Sequence, residues 1–200
     1  MVFDYLHPRQ KIENNIYATQ LIRWLIGRGF IQKDKAIRIL DLASGKGYFY
    51  FALKNEGYEN VFAVDLCPQF KECIKGDLLK KLPFKDGSFD LVISRDVAEH
   101  VLDSGKFFDE QNRVLKRGGV IIVMTPNAER MKIGEFYDDY THVRPYTRKS
   151  LLEALHMHGF EKIYVQRLRA VPKLWKYTFR AFDFLFSTRK NNLLGVAKKK

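Results

Sequence analysis

The residues with the clearest chemical use are a glycine bend and two carboxylates. The bend is DLASGKG, Asp41 to Gly47, set between the short apolar run IRILDL at 37–42 and the helix-like YFYFALKNEG. Glycines at 45 and 47 let the backbone approach a ligand with no Cβ in the way, and the helix that follows offers free N–H groups to it. Asp65 lies 20 residues beyond Gly45, at the end of the next apolar run, where a carboxylate can accept both hydroxyls of a ribose. A glycine-rich turn alone also serves tight packing; the pairing with Asp65 is what points to a nucleoside-type cofactor.

Two nucleotide classes fit poorly. The dinucleotide fingerprint G-x-G-x-x-G would fall on Ala43, Gly45 and Tyr48, and a bulky ring at the third position prevents close helix packing. No G-x-x-x-x-G-K-[ST] run is present. Asp41, just ahead of the bend, suits a cationic sulfonium with an amino-acid tail better than a pyrophosphate, because opposite charges attract and like charges repel.

The surrounding pattern predicts the elements that position these groups. Residues 12–28 put Ile16, Leu21, Trp24 and Leu25 near helical spacing. Strands are expected at 37–42, 61–65, 89–94, 120–124, 162–168 and 193–199. Helices are expected at 48–57, at 107–119 and over RKSLLEALHMHGF, with glycines closing the first and last. Strands alternating with helices indicate a parallel sheet covered on both faces, a doubly wound α/β fold. Only ten residues separate Asp65 from Gly76, so the crossover helix there should shrink to about a turn.

At this level the resemblance is specific. Asp41-x-x-x-Gly45-x-Gly47 resembles the first motif of class I S-adenosylmethionine-dependent methyltransferases, and Asp65 the acid of their second. GDLLKKLPFKDGSFDLVISRDVAEHV (76–101) is similar to the third and fourth motif region of the small-molecule, type 11-like branch. LKRGGVIIVMTPN (115–127) is similar to the fifth strand, and the stretch from Thr141 to Val165 to the sixth-strand region.

The resemblance implies a Rossmann-like, seven-stranded, mostly parallel sheet whose last strand is antiparallel. It implies S-adenosylmethionine as cofactor, held by Asp41, Ala43, Ser44, Gly45, Gly47, Asp65, Leu66, Asp77, Leu78 and Arg95. Asp77 would meet the adenine amino group, with Leu78 beside the ring, and Arg95 and Asp96 would lie near the transferred methyl. Ala43 departs from the usual first glycine, and the shortened crossover weakens the adenine wall around Leu66.

Methyl transfer to a hydroxyl needs a base. His100 follows the fourth strand, where the resemblance puts the active-site rim; it reads as a base or as a histidine packing a helix start. His142 sits among Tyr137, Tyr140, Arg144 and Tyr146 in a segment without periodicity, read as an acceptor lid or an ordered surface loop. Asp96, Tyr140, Arg144 and Tyr146 are the acceptor-binding candidates. Asp138, Asp139 and His142 could ligate a metal, but adjacent loop carboxylates are more often solvated and no metal is expected. Cys67 and Cys73 form no zinc or disulfide pattern.

Charge and composition bound the partners. Residues 1–112 carry 16 basic and 16 acidic residues, while 113–200 carry 19 against 7, so the whole net +12 lies in the second part. Such a skew fits an anionic partner or simple solubility. The segment 173–187 places Lys173, Lys176, Arg180 and Asp183 on one helical face and Leu174, Trp175, Phe179, Phe182, Leu185 and Phe186 on the other. It reads as a membrane-surface helix, a roof over an apolar acceptor, or a packed element.

No secretory signal or stretch of membrane-spanning length is found, which predicts a cytoplasmic protein; on the membrane-surface reading of 173–187 it would be peripheral to the membrane. The expected organisation is a helical cap (1–35), a cofactor-binding core (36–168), an amphipathic insertion (169–192), and a last strand with a basic tail (193–200). The favoured function is methyl transfer to a small or lipid-linked acceptor, which the charge makes a candidate to be anionic. A nucleic-acid methyltransferase and a non-catalytic cofactor-binding module are the alternatives.

Overall fold

The computed structural model describes residues 8–168 and 192–200, with side chains from Ile16 onward except that of Ile133. The amphipathic segment expected at 173–187 lies outside the described residues. A seven-stranded sheet forms in the order β3-β2-β1-β4-β5-β7-β6. Its strands are β1 (Arg38–Leu42), β2 (Asn60–Asp65), β3 (Cys73–Lys75), β4 (Phe89–Arg95), β5 (Leu115–Pro126), β6 (Phe160–Leu168) and β7 (Asn192–Lys199). All pairings from β3 to β5 are parallel, and β7 runs antiparallel between β5 and β6. The last strand therefore takes the position and direction that the resemblance implies.

Side-chain alternation divides the core into two layers. Ile39, Ala63, Leu91, Ile93 and Ile122 point to one face, under α1 (Pro8–Gly27) and α2 (Tyr48–Asn55). Leu40, Leu42, Val64, Val92, Ile121 and Val123 point to the other, covered by α3 (Ser104–Val114) and α5 (Arg148–Met157). Burial on both faces explains why the central strands read as continuous apolar runs. In α1, Ala18, Leu21, Ile22 and Leu25 are buried and Ile16 is exposed, so the apolar stripe begins two positions later than expected.

The crossover after β2 shrinks to a turn as its length predicts, and two other local features differ from expectation. Residues 66–72 hold no helix, only a turn closed by Cys73 N–H to the Phe70 carbonyl (3.2 Å), and the three-residue β3 then pairs Cys73 with Ala63. The helix expected at 107–119 ends at Val114, because Leu115 turns extended and pairs with Phe89 as the start of β5. A five-residue helix, α4 (Ile133–Tyr137), interrupts the segment read as loop, with Glu135 reaching back to its own cap. No helix among the described residues is long and apolar enough to cross a membrane.

Candidate active site

The carboxyl ends of β1, β2 and β4 converge on one edge of the sheet, where open parallel sheets bind ligands. From β1 the chain enters the bend through Ala43 (φ 56°), Gly45 (φ 52°) and Gly47 (φ 75°), three left-handed positions in five residues. A Cβ on Gly45 would meet nothing within 4 Å, whereas one on Gly47 would lie 2.8 Å from Phe70 Cε1 and 2.9 Å from Phe51 Cε2. The bend is therefore open at Gly45 and roofed at Gly47 by the rings of Phe70 and Phe51, on which Tyr50 packs in turn.

Asp65 fastens the bend to β2. Its Oδ2 accepts the Gly45 N–H at 2.8 Å and its Oδ1 accepts the Cys67 N–H at 2.8 Å. Each oxygen keeps a second lone pair, so both remain able to accept a ribose hydroxyl. Ser44 adds a backbone bond to Val64 (3.2 Å), and its hydroxyl contacts Cys73 Sγ at 3.4 Å.

Asp41 lies below the bend, 4% exposed, and accepts the Tyr50 N–H at 3.0 Å in the first turn of α2. Burial pushes its carboxyl up to about 7; the Tyr50 N–H and the Arg95 charge oppose the rise without cancelling it.

Asp77 and Leu78 follow β3. Asp77 Oδ1 accepts the Leu79 N–H at 2.9 Å, and Oδ2 lies 3.4 Å from Lys80 Nζ. The Leu79 bond and Lys80 hold this carboxyl below its ordinary range. Leu78 packs against the α3/α5 layer, while Leu66 is 57% exposed.

At the end of β4, Arg95 donates to Asp96 Oδ2 at 2.9 Å and lies over the rings of Tyr17 (5.2 Å) and Phe49 (5.5 Å). Asp96, in a left-handed conformation (φ 51°), uses its other oxygen to accept from Asn192 Nδ2 at 2.8 Å. Its side chain thus joins β4 with β7, with a second lone pair left on each oxygen. Tyr17, Phe49, Phe70 and Asn192 carried no sequence signal, because their roles depend on which elements meet.

The two histidines come together. His100 ends a single 3-10 turn (Ala98–His100), and its ring centroid lies 4.7 Å from that of His142. Val143 and Arg144 donate their N–H groups to the Glu99 carbonyl (2.8 and 3.1 Å), which draws the 139–144 loop onto this turn. His100 Nδ1 meets the Thr141 hydroxyl at 2.8 Å, and that hydroxyl donates to Asp139 Oδ1 at 2.6 Å. His142 Nδ1 meets the Phe136 carbonyl at 2.7 Å. Burial foremost, then His142, holds the His100 imidazole below its ordinary range.

Beside them Glu99 is 1% exposed, accepts the Thr125 hydroxyl at 2.8 Å, and is pushed up to about 7 by burial and by Asp96. Nothing in the sequence distinguished this glutamate from a surface one. Of the remaining candidates, Arg144 is exposed and Tyr140 is 92% exposed. Tyr146 is buried in the α3/α5 layer and forms a parallel bridge with Asn127.

Comparison with known proteins agrees with this architecture. The family model described as a methyltransferase domain matches residues 40–123. An uncharacterized protein of Methanocaldococcus jannaschii is 29% identical over 150 residues, 72% of this chain and 64% of that protein. A probable S-adenosylmethionine-dependent methyltransferase of Mycolicibacterium smegmatis is 38% identical over 84 residues, 42% of this chain and 33% of that protein. The chain thus spans less than two thirds of these curated relatives. Among solved structures, a SAM-dependent methyltransferase from Archaeoglobus fulgidus superimposes with TM-score 0.67 at 20% identity, covering 90% of this chain and 94% of that one.

Proposed function

Because this chain carries a class I S-adenosylmethionine-dependent methyltransferase domain, we propose that it transfers a methyl group from S-adenosylmethionine to a small or lipid-linked acceptor. The observation that carries the reading is the clamp of the glycine bend by Asp65, with the buried carboxyl of Asp41 directly beneath. The groups present fit the cofactor. Space is open above Gly45, Asp65 has lone pairs to spare for ribose hydroxyls, and Asp41 has a carboxyl that a nearby cation would favour in its ionised form.

When bound, S-adenosylmethionine supplies a methyl carbon already activated by its sulfonium. The protein's work is then alignment and exclusion of water. Asp65 holds the bend and would hold the ribose, Asp77 and Leu78 would take the adenine edge, and Arg95 is fixed over two rings. His100 and His142 stand at the acceptor end with Nε2 atoms that can accept from an acceptor hydroxyl. Tyr140 and Arg144 remain open acceptor contacts; the side chains of Asp96 and Tyr146 act in holding the site's walls.

A nucleic-acid acceptor is the second reading, favoured by the +12 charge concentrated in residues 113–200. The test is incubation with methyl-labelled S-adenosylmethionine and a cell extract, followed by fractionation. Label in the lipid or small-molecule fraction is expected; label in RNA or DNA would transfer the proposal to the second reading, and no label in any fraction would leave a binding module.

A further inference from the structure

We propose that Glu99, His100 and His142 hold a divalent cation through one carboxylate oxygen and two imidazole nitrogens. One ligand atom from each of the three lies within 4.8 Å of the other two, and three features of their surroundings favour a cation there.

The first is the tautomer of each ring. The Phe136 carbonyl can only accept, so the His142 Nδ1 bonded to it carries the proton. The Thr141 hydroxyl has one proton and spends it on Asp139 Oδ1, so Thr141 accepts from His100 Nδ1–H. Both Nε2 atoms are left as lone-pair donors. Imidazoles oriented through Nδ1 by a carbonyl or a carboxylate relay are how metal-ligating histidines are held.

The second is Glu99 itself. Its Oε2 receives the Thr125 hydroxyl, while Oε1 stands 4.0 Å from His100 Nε2, too far for a hydrogen bond. The third is charge. The neighbours acting on Glu99 are Asp96 and Asp139, and Asp139 Oδ2 also lies 3.9 Å from His142 Nε2. A buried carboxyl in acidic surroundings either keeps its proton or takes a positive partner, and a cation beside Oε1 would be that partner. Among the described residues, no Lys or Arg forms an ion pair with Glu99.

Two nitrogens and one carboxylate oxygen select a first-row transition ion such as Zn²⁺, Mn²⁺ or Co²⁺ over Mg²⁺ or Ca²⁺, which prefer all-oxygen sets. Three protein ligands leave a position open. If the methyl-transfer reading holds, that position would take an acceptor hydroxyl oxygen whose proton passes to water, the cation standing in for the two imidazoles as the group that activates it, and the substrate class would narrow to hydroxyl acceptors.

The experiment uses the full chain, dialysed against chelator, with Zn²⁺, Mn²⁺ or Mg²⁺ alone as the probe in calorimetry. One equivalent of Zn²⁺ bound at least 100-fold more tightly than Mg²⁺ is expected, and zinc-edge absorption of the wild type should count two imidazoles. Glu99→Gln and His142→Gln should each lose 100-fold or more, and Thr141→Val about 10- to 100-fold through loss of ring orientation. Absence of binding, fewer than two imidazoles at the zinc edge, or undiminished binding by folded His142→Gln would overturn the proposal. S-adenosylmethionine affinity, measured separately on the metal-free protein, tests the methyltransferase reading whatever the cation result.

Discussion

Replacing Asp41 by asparagine separates the cost of a buried charge from the value of a helix cap. In the folded chain this carboxyl titrates near 7 instead of 3.8, so folding favours the protonated acid. Its stabilising effect is complete below about pH 4 and is lost as pH rises to about 7. At 1.36 kcal/mol for each pH unit of displacement, the ionised group opposes folding by about 4 kcal/mol at pH 8, of which only about 1.5 kcal/mol has accrued by pH 5.

Asparagine still accepts the Tyr50 N–H but does not ionise. Asp41→Asn should therefore be more favourable at pH 8 than at pH 5, by about 3 kcal/mol relative to the wild type. For a chain of this size that is about 6–12 °C in Tm. Thermal unfolding of both proteins at the two pH values, in low salt and without cofactor, reads the difference directly. A Tm offset between them that does not change with pH would refute the argument that burial dominates this carboxyl. In the same picture a bound cation restores the charge on Asp41, so cofactor binding at pH 7 should release protons, visible as a dependence of calorimetric enthalpy on buffer ionisation heat.

Other substitutions test the site residue by residue. Asp65→Ala removes the acceptor for the Gly45 and Cys67 N–H groups as well as the ribose contact, and should weaken S-adenosylmethionine binding about 10- to 100-fold by calorimetry; unchanged affinity would sink that role. Gly47→Ala meets Phe70 and Phe51 below 3.0 Å in a left-handed conformation, and should lower stability by about 1–3 kcal/mol in denaturant titration. Gly45→Ala has only the backbone strain to bear, so its loss in cofactor affinity should exceed its loss in stability; the reverse order would mean that the open face is not the binding face. Deleting 173–187 should impair acceptor turnover more than cofactor binding, and equal losses would assign that segment to the core.

Much of this architecture could be read from the chain, for identifiable reasons. The central strands β1, β2, β4 and β5 are buried on both faces, so their middles stand out as mostly apolar runs. The bend and Asp65 are legible because only glycine and a carboxylate suit those places. Three-residue β3 is too short to have a period, and its existence depends on pairing with β2. The Leu115–Gly119 stretch looks helical by composition and becomes strand because Phe89 provides a partner.

Within the site, a sequence shows residue types but not company. The tie between Asp96 and Asn192, 96 residues later, could not be read from either residue's neighbours. Glu99 reads as an ordinary acidic residue until the fold encloses it. The pairing of His100 with His142 depends on the Glu99 carbonyl capturing two N–H groups from a distant loop, which no local pattern encodes.

The central claim is that the bend at Gly45 and the carboxylates of Asp41 and Asp65 together grip an adenosyl sulfonium. A crystal structure with S-adenosylhomocysteine bound tests it most directly. The account predicts both ribose hydroxyls within hydrogen-bond distance of Asp65, the adenine edge at Asp77, and the amino-acid tail over the bend nearest Asp41. Density for the ligand elsewhere, or a ribose out of reach of Asp65 while the Gly45 bond to it persists, would contradict it.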